Sequence, residues 1–442
     1  MGVRERVIIK KIDFFFFLED VVNLQMLLNT EQERAFHMFQ SEHNVLIMGH
    51  AGTGKSYLIS TFREYCRSYR QPYGITSTTG VASLAINGTT VNSFLGLGTC
   101  SGSVSERIRT IQKNKTLVLR YKQLRVLIID EVSLLSAETL DKIHEIFVYF
   151  KKNTRPFGGI QMVLLGDFYQ LRVVKSDEHF IFQSKKWTFY NFRIICLKAS
   201  MRQRDPLWIQ LLDHLRIGQL HENDIELLKS RCCDPPSCIF PTKLFATNQE
   251  VERYNETQLS HLRDQYALEI FPAMYEPSSC KEKVKGCLPT VDILYLTVKC
   301  QVMFLINNLD EGYANGTRGC IVGFTERDSS RHPIVELLDG KRITVFPHRW
   351  DVEPVPGQKY SFIQYPLKLS WALTIHKSQG MTLDYVETDI NQKMFAYGQV
   401  YVALSRVREL SGLFLRSFDP SCIKADPVVH AFYQEQEHGY EL

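Results

Sequence analysis

The chain has 442 residues, 44% of them hydrophobic and 23% charged, close to average soluble usage. A length of about three domains with ample core excludes a small stapled scaffold, a disordered chain and a collagen-like repeat. Fifty-two Lys and Arg against 48 Asp and Glu give a net charge of +4, too mild to identify a polyanion partner, so any nucleic-acid surface has to come from local charge.

Near the N-terminus, Arg4, Arg6, Lys10 and Lys11 precede the run Ile12 to Leu18, which Asp13 interrupts and Glu19 and Asp20 follow. It reads as a strand or short packing segment, with an organellar presequence as the alternative. No stretch approaches the roughly 18 apolar residues of a membrane span, so a soluble chain with no membrane partner is expected. Glu31 to Gln40 has mixed helical spacing and leads into Asn44 to Met48, a short apolar run ending at Gly49. That is the pattern of a buried parallel strand. Short apolar runs recur at Val126 to Ile129, Gln161 to Leu165 and Arg193 to Leu197, with helical patterns between them. In Ala137 to Lys152, Leu140, Ile143, Phe147 and Phe150 share one helical face, Ser136 can cap and Glu138 suits the first turn. Such alternation predicts an α/β domain with a parallel sheet.

A second unit is predicted from Asp205-Pro206, a cap and first-turn pair, through Leu207, Leu211, Leu212 and Leu215 to the stop at Gly218. Cys232, Cys233 and Cys238 fit no zinc spacing and read as a loop; the 11 cysteines include no CxxC pair, as suits a reducing compartment. From Val291 to Ile363 the pattern is β-rich, with hairpin signals at Asn315-Gly316 and Asp339-Gly340. The α/β texture returns from Tyr365 to Tyr433.

Gly49-His50-Ala51-Gly52-Thr53-Gly54-Lys55-Ser56 matches G-x-x-x-x-G-K-[ST] between a predicted strand and a predicted helix, the context a phosphate-binding loop requires. Backbone N–H groups would curl around phosphates, Lys55 would serve the β and γ groups, and Ser56 would ligate Mg²⁺. Val126 to Ile129 ends in Asp130-Glu131, which suits an Asp in the Mg²⁺ shell and a Glu that orients or deprotonates the attacking water. Gln170, just past a buried strand, can sense a γ-phosphate or its water. Together these predict a nucleotide hydrolase, without saying what hydrolysis drives.

Further motifs are more specific. They are Leu28-Asn29-Thr30-Glu31-Gln32, Thr78-Thr79-Gly80-Val81-Ala82, Gly88 to Phe94, Pro156-Phe157-Gly158-Gly159, Gly166-Asp167-Phe168-Tyr169-Gln170-Leu171, Met201-Arg202-Gln203, Phe245-Ala246-Thr247-Asn248, Trp371 to Thr382 and Tyr401 to Val407. In this order they resemble the Pif-one family of superfamily-one DNA helicases, relatives of the RecD helicases, over nearly the whole chain. The resemblance implies two RecA-like P-loop domains with parallel sheets, an SH3-like β-barrel insert in the second and a small wedge insert in the first. It would divide the chain into 1–204 with a wedge at about 95–125, a second domain of 205–290 and 364–442, and a barrel at 291–363.

The implied activity is ATP-driven translocation on single-stranded DNA, 5′ to 3′, separating forked duplexes in replication, recombination, repair or telomere maintenance. Asn29 and Gln32 would join the loop in holding ATP, with Gly380; Arg202 and Arg406 would be arginine fingers from the second unit. The DNA track would use Thr79, Gly80, Asn92, Ser93, Phe94, Thr247, Asn248, Thr374, His376 and Ser378: hydroxyls and amides for phosphates, rings for stacking. The family also implies a monomer or DNA-induced dimer, and an intracellular location in the nucleus or at sites of DNA replication, with the mitochondrion as the alternative that a presequence would allow. Another P-loop ATPase, a remodeller or loader, is the alternative. Asn92 departs from the family's usual His, Arg172 from its Pro, and Lys299-Cys300 from Gly-Ala. Arg107 to Arg125 holds seven basic residues and no acid, and reads either as a solvated helix face or as a fork-binding surface of the wedge.

Overall fold

In the computed structural model the described residues are 28–438, apart from 80–81, 84–85, 99–101, 173–178, 237–240, 285–289, 307, 309–310, 312, 314–316, 328–329, 338 and 356–357. The N-terminal segment, Gly80, Cys238 and the Asn315-Gly316 hairpin signal lie outside them.

The short apolar runs form one sheet. Its strands are β1 (Val45–Gly49), β2 (Tyr73–Ser77), β3 (Thr89–Thr90), β4 (Val126–Asp130), β5 (Gln161–Gly166) and β6 (Arg193–Leu197), in the order β3-β2-β4-β5-β1-β6. Every pairing is parallel. Strands β1, β4 and β5 are buried at every position because helices cover both faces. Val45 and Ile47 pack with Ala35, Phe36, Leu58 and Phe62 of the helices Thr30–Gln40 and Lys55–Ser68. Leu46 and Met48 point the other way, into a cluster with Leu140, Ile143 and Phe147 of the helix Ala137–Lys151. With β4, β5 and β1 adjacent, their C-terminal exits share one edge, where open α/β sheets bind ligands.

The chain divides into two compact units, Met1–Gln219 with Lys424–Leu442, and Leu220–Ile423. The predicted boundary after residue 204 is therefore corrected. The helix Pro206–Ile217 belongs to the first unit, as does the C-terminal helix Pro427–His438, whose Val429, Phe432 and Tyr433 complete the first core. An amphipathic pattern announces an apolar face but not which sheet will cover it. Between β3 and β4 the basic stretch forms two helices, Val104–Gln112 and Lys115–Gln123, anchored by buried Ile111 and Tyr121.

The second unit contains β7 (Thr242–Phe245), β8 (Glu269–Pro272), β9 (Met274–Glu276), β10 (Ile293–Leu296), β11 (Gln301–Phe304), β12 (Arg318–Arg327), β13 (Ser330–Leu337), β14 (Arg342–Thr344), β15 (His348–Val355), β16 (Gln358–Gln364), β17 (Leu367–Leu369), β18 (Ala372–Thr374), β19 (Val386–Ile390) and β20 (Leu413–Phe418). A parallel sheet, β18-β7-β19-β20, is interrupted by antiparallel sheets β14-β13-β12-β11-β17, β15-β16-β9 and β10-β8. The antiparallel region runs from 269 to 369, wider than the predicted 291–363, because β8 pairs β10, β9 pairs β16 and β17 pairs β11. Those partners are distant in sequence, and each outer strand is too short to show periodicity alone. Gly340, at φ 84°, makes the turn between β13 and β14 where Asp339-Gly340 predicted one.

Candidate nucleotide and nucleic-acid site

The loop after β1 is shaped by two left-handed glycines, Gly52 at φ 85° and Gly54 at φ 79°. A side chain at either would strain the backbone and also collide, 2.6 Å from Arg202 Cβ at Gly52 and 2.6 Å from Gln32 Nε2 at Gly54. Gly54 opens the helix carrying Lys55 and Ser56. Lys55 Nζ donates to the carbonyls of Gly49 (2.7 Å) and His50 (2.9 Å), so its ammonium lies under the loop. Burial lowers its pKa, against the opposing pull of Asp167, Glu131 and Asp130. Thr53 is buried within the loop, Ala51 is half-buried and the Ser56 hydroxyl is exposed at the helix start. His50 Nδ1 meets Asp213 Oδ1 at 2.7 Å, tying the loop to the helix Pro206–Ile217.

Asp130 ends β4 and Glu131 follows it, both buried. Glu131 N–H donates to Asp130 Oδ1 (2.9 Å), and Glu131 has φ 52°, a left-handed kink that turns it off the strand line. Burial, with the Glu131 charge second, holds the Asp130 carboxyl well above the usual carboxylate range. Past β5, Gln170 N–H closes a turn on Asp167 O (3.0 Å). Its side-chain Oε1 is buried with no hydrogen-bond partner, a costly state that a bound group at this edge would relieve. An ammonium, a carboxylate pair, an unsatisfied amide and a glycine cradle on one sheet edge suit a polyphosphate. The hydroxyl and carboxylate oxygens of Ser56 and Asp130 suit a hard divalent cation.

Gln32, expected to join the loop in holding ATP, is already tied into the fold. Its Oε1 accepts from Asn29 N–H (3.1 Å) in a capping box, and its Nε2 donates to Thr53 O (3.2 Å). Each amide end is thus engaged once, by the helix cap and by the loop, and keeps one further donor or acceptor position. Arg202 is also corrected: it belongs to the first unit, where Met201 N–H donates to Gly52 O (2.8 Å) and places Arg202 against the loop. Arg406 does lie in the second unit, almost wholly buried. Its Nε donates to Val402 O (2.9 Å), Nη1 to Met381 O (3.3 Å) beside Gly380, and Nη2 to Ser405 Oγ (2.8 Å).

The predicted track residues that the structure describes lie at helix caps and in short helices. In the first unit, Thr79 Oγ1 accepts from Ala82 N–H (3.2 Å). Asn92 and exposed Ser93 lie on the short helix Val91–Leu95. Phe94 is corrected as a stacking platform: its ring packs on Gly74, where any Cβ would come within 2.4 Å of it, and Arg120 covers it with its guanidinium 4.5 Å from the ring centre. In the second unit, Thr247 caps the helix beginning at Asn248, and both are exposed. Thr374 caps Ile375–Ser378, Ser378 Oγ is turned inward onto Ile375 O (2.8 Å), and burial lowers the pKa of half-buried His376.

Sequence reasoning missed Asp213, Arg216 and Tyr433, which reach the loop and the β5 exit from helices distant in sequence. A buried-stripe position holding Arg inside an apolar helix, as Arg216 does after Leu215, was the only available signal. Two departures are absorbed locally: Arg172 meets Asp426 at 3.6 Å, and Lys299 keeps the left-handed φ of 71° that a Gly would take freely.

A family model described as PIF1-like helicase matches residues 27–221. The ATP-dependent DNA helicase Pif1 of Bdellovibrio bacteriovorus is 32% identical over 414 residues, 93% of this chain and 92% of that protein. The ATP-dependent DNA helicase PIF1 of Danio rerio is 36% identical over 421 residues, and the chain spans 65% of its length. Among solved structures, the Pif1 helicase of Candida albicans superposes with a TM-score of 0.83 at 34% identity, covering 93% of this chain and 99% of that one. A Bacteroides Pif1 in complex with ADP-AlF4 superposes with a TM-score of 0.76 at 25% identity, covering 93% and 98%.

Proposed function

The chain belongs to the PIF1-like helicase family, and on that premise we propose that it is an ATP-dependent DNA helicase that moves 5′ to 3′ on single-stranded DNA. The observation that carries the hydrolytic half is the shared edge of β4, β5 and β1, which gathers Lys55, Asp130, Glu131 and the unsatisfied Gln170. In this reading Lys55 leaves its two loop carbonyls for the β and γ phosphates, Ser56 and Asp130 hold Mg²⁺, which neutralises phosphate charge when bound, and Glu131 orients and deprotonates the attacking water. Gln170 reports the γ-phosphate. Arg202, beside Gly52, stabilises transition-state charge from within the first unit, and Arg406 contributes from the second. Gln32 and Asn29 support the loop, and Gly380 gives a backbone contact to the nucleotide.

The DNA track comprises Thr79, Gly80, Asn92, Ser93, Thr247, Asn248, Thr374, His376 and Ser378. The antiparallel region of the second unit is an SH3-like insert, and Val104–Gln123 is the wedge at a fork. The chain acts as a monomer or a DNA-induced dimer; a relative's structure described as two coordinating Pif1 helicases at forked DNA, 26% identical to this chain, supports the second. The test is ATP turnover with and without single-stranded DNA, alongside unwinding of 5′-tailed, 3′-tailed and forked duplexes. Stimulation and 5′-tail dependence are expected; a remodeller or loader would show neither.

A further inference from the structure

Strands β2 and β4 run in register to their last pair, Ser77 with Asp130. Beyond it the chains should part, yet the β2 exit stays fastened to the acid pair. Ser77 Oγ donates to Asp130 O (3.2 Å), Thr78 N–H donates to the same carbonyl (3.3 Å), and Thr78 Oγ1 donates to Glu131 O (2.9 Å). Glu131 needs such fastening. It is not glycine, yet stands at φ 52° and ψ 44°, a conformation that costs about 1–2 kcal/mol in an L-residue unless its surroundings hold it. Its carbonyl accepts from both Thr78 Oγ1 and Leu134 N–H (3.1 Å), and its N–H donates to Asp130. The peptide planes on either side of its Cα are therefore fixed, and with them the direction of the Cα–Cβ bond from which the carboxylate is aimed. The next residue along β2's exit, Thr79, shapes the loop proposed to grip DNA: its Oγ1 accepts from Ala82 N–H (3.2 Å) and its carbonyl from Ser83 N–H (3.0 Å).

We infer that Thr78 is a positioning residue that transmits occupancy of the Thr79 loop to Glu131, so that a phosphodiester held at Thr79 sets the aim of the catalytic carboxylate. The inference rests on the helicase reading above. One peptide unit separates the hydroxyl that meets the nucleic acid from the hydroxyl that holds Glu131, and both lie in the first unit. A strand phosphate at Thr79 competes for the donors that organise the loop, and any shift passes directly to the Thr78 hydroxyl. Grip on DNA and hydrolysis are thereby linked without a contact between DNA and nucleotide.

The test compares Thr78→Val, which keeps shape and loses the hydroxyl, with Thr78→Ser, which keeps it. Oligo-dT affinity is measured by fluorescence anisotropy, ATP turnover with and without oligo-dT, and folding by thermal melting; Thr78→Ala replaces the valine variant if that fails to fold. Expected is an oligo-dT affinity within about twofold of wild type but a fold-stimulation of kcat reduced about five- to tenfold, the equivalent of one lost hydrogen bond. Thr78→Ser should restore stimulation to within about twofold. Wild-type stimulation in the hydroxyl-free variant, loss of affinity in step with turnover, or failure of serine to rescue would each overturn the inference. A wild-type enzyme indifferent to oligo-dT would instead overturn the helicase reading, and this inference with it.

Discussion

Arg216 grips Asp167 with two nitrogens inside the first unit, Nη2 at 3.0 Å and Nε at 3.2 Å from Oδ1. Its guanidinium lies 4.4 Å from the centre of the Tyr169 ring and 4.8 Å from that of Tyr433, whose hydroxyl also donates to Asp167 (3.3 Å). Burial alone would raise the Asp167 pKa, but the Arg216 charge and hydrogen bonds, with the Lys55 charge after them, outweigh it and keep the carboxyl ionised. Removing the cation takes the Arg216 charge from a fully buried carboxylate, so Arg216→Met is expected to destabilise the protein by about 3–5 kcal/mol. Tyr433→Phe removes one hydrogen bond and should cost about 1 kcal/mol. Chemical denaturation of both variants measures the two, and comparable losses would deny Arg216 its special place.

Lys55→Ala is expected to abolish ATP turnover, because the loop loses its one side-chain cation. Glu131→Gln should instead keep nucleotide binding while turnover collapses, about 100-fold or more as for loss of a general base. Fluorescent-nucleotide binding beside turnover separates the two, and near-wild-type turnover in either variant contradicts the assigned roles.

His376→Ala should leave turnover without DNA largely intact and reduce its stimulation by single strands, as expected for a track residue. Arg406→Ala should lower turnover, but the three hydrogen bonds of its buried guanidinium mean that it also weakens the second unit, by about 1–3 kcal/mol. Thermal melting has to accompany its kinetics. An Arg406→Ala protein that melts like wild type would show that those bonds contribute little.

Replacing Lys113, Lys115 and Lys122 with Gln should weaken binding to a forked duplex and flatten its salt dependence, with a smaller effect on ATP turnover over single-stranded DNA. Arg120 is left in place because it donates to Phe94 O and covers the Phe94 ring. Equal losses in both assays, or an unchanged salt slope, would reduce these lysines to a solvated face.

Buried His144 accepts from Phe157 N–H (3.0 Å) through Nδ1, which requires an unprotonated nitrogen there. Burial, with the Lys186 charge second, lowers its pKa below the ordinary histidine value of about 6.5. As pH falls below that value the unfolded chain takes up the proton first, so stability contributed at neutral pH is lost on acidification. The fall in melting temperature between pH 7.5 and 5.5 should be smaller in His144→Gln than in wild type.

The strands of the first sheet and the loop from Gly49 to Ser56 were legible in the sequence because local signals determine them. A run of apolar residues must be buried on both faces, and glycines at fixed spacing permit one backbone path around a phosphate. Asp130 and Glu131 were legible for the same reason, as a strand's polar exit. What only the tertiary structure decided was which distant groups meet that edge. Nothing in the heptad-like pattern of Pro206 to Ile217 says that Arg216 will find Asp167, or that Tyr433 will close over it, since periodicity encodes an apolar face and not its partner. Phe94 shows the converse: an aromatic beside hydroxyls suits a stacking platform in sequence, but the gap left by Gly74 and the charge of Arg120, both remote along the chain, make it part of the core's margin. Side-chain identity fixes what a residue can do, and packing against residues far away in sequence fixes which of those things it does.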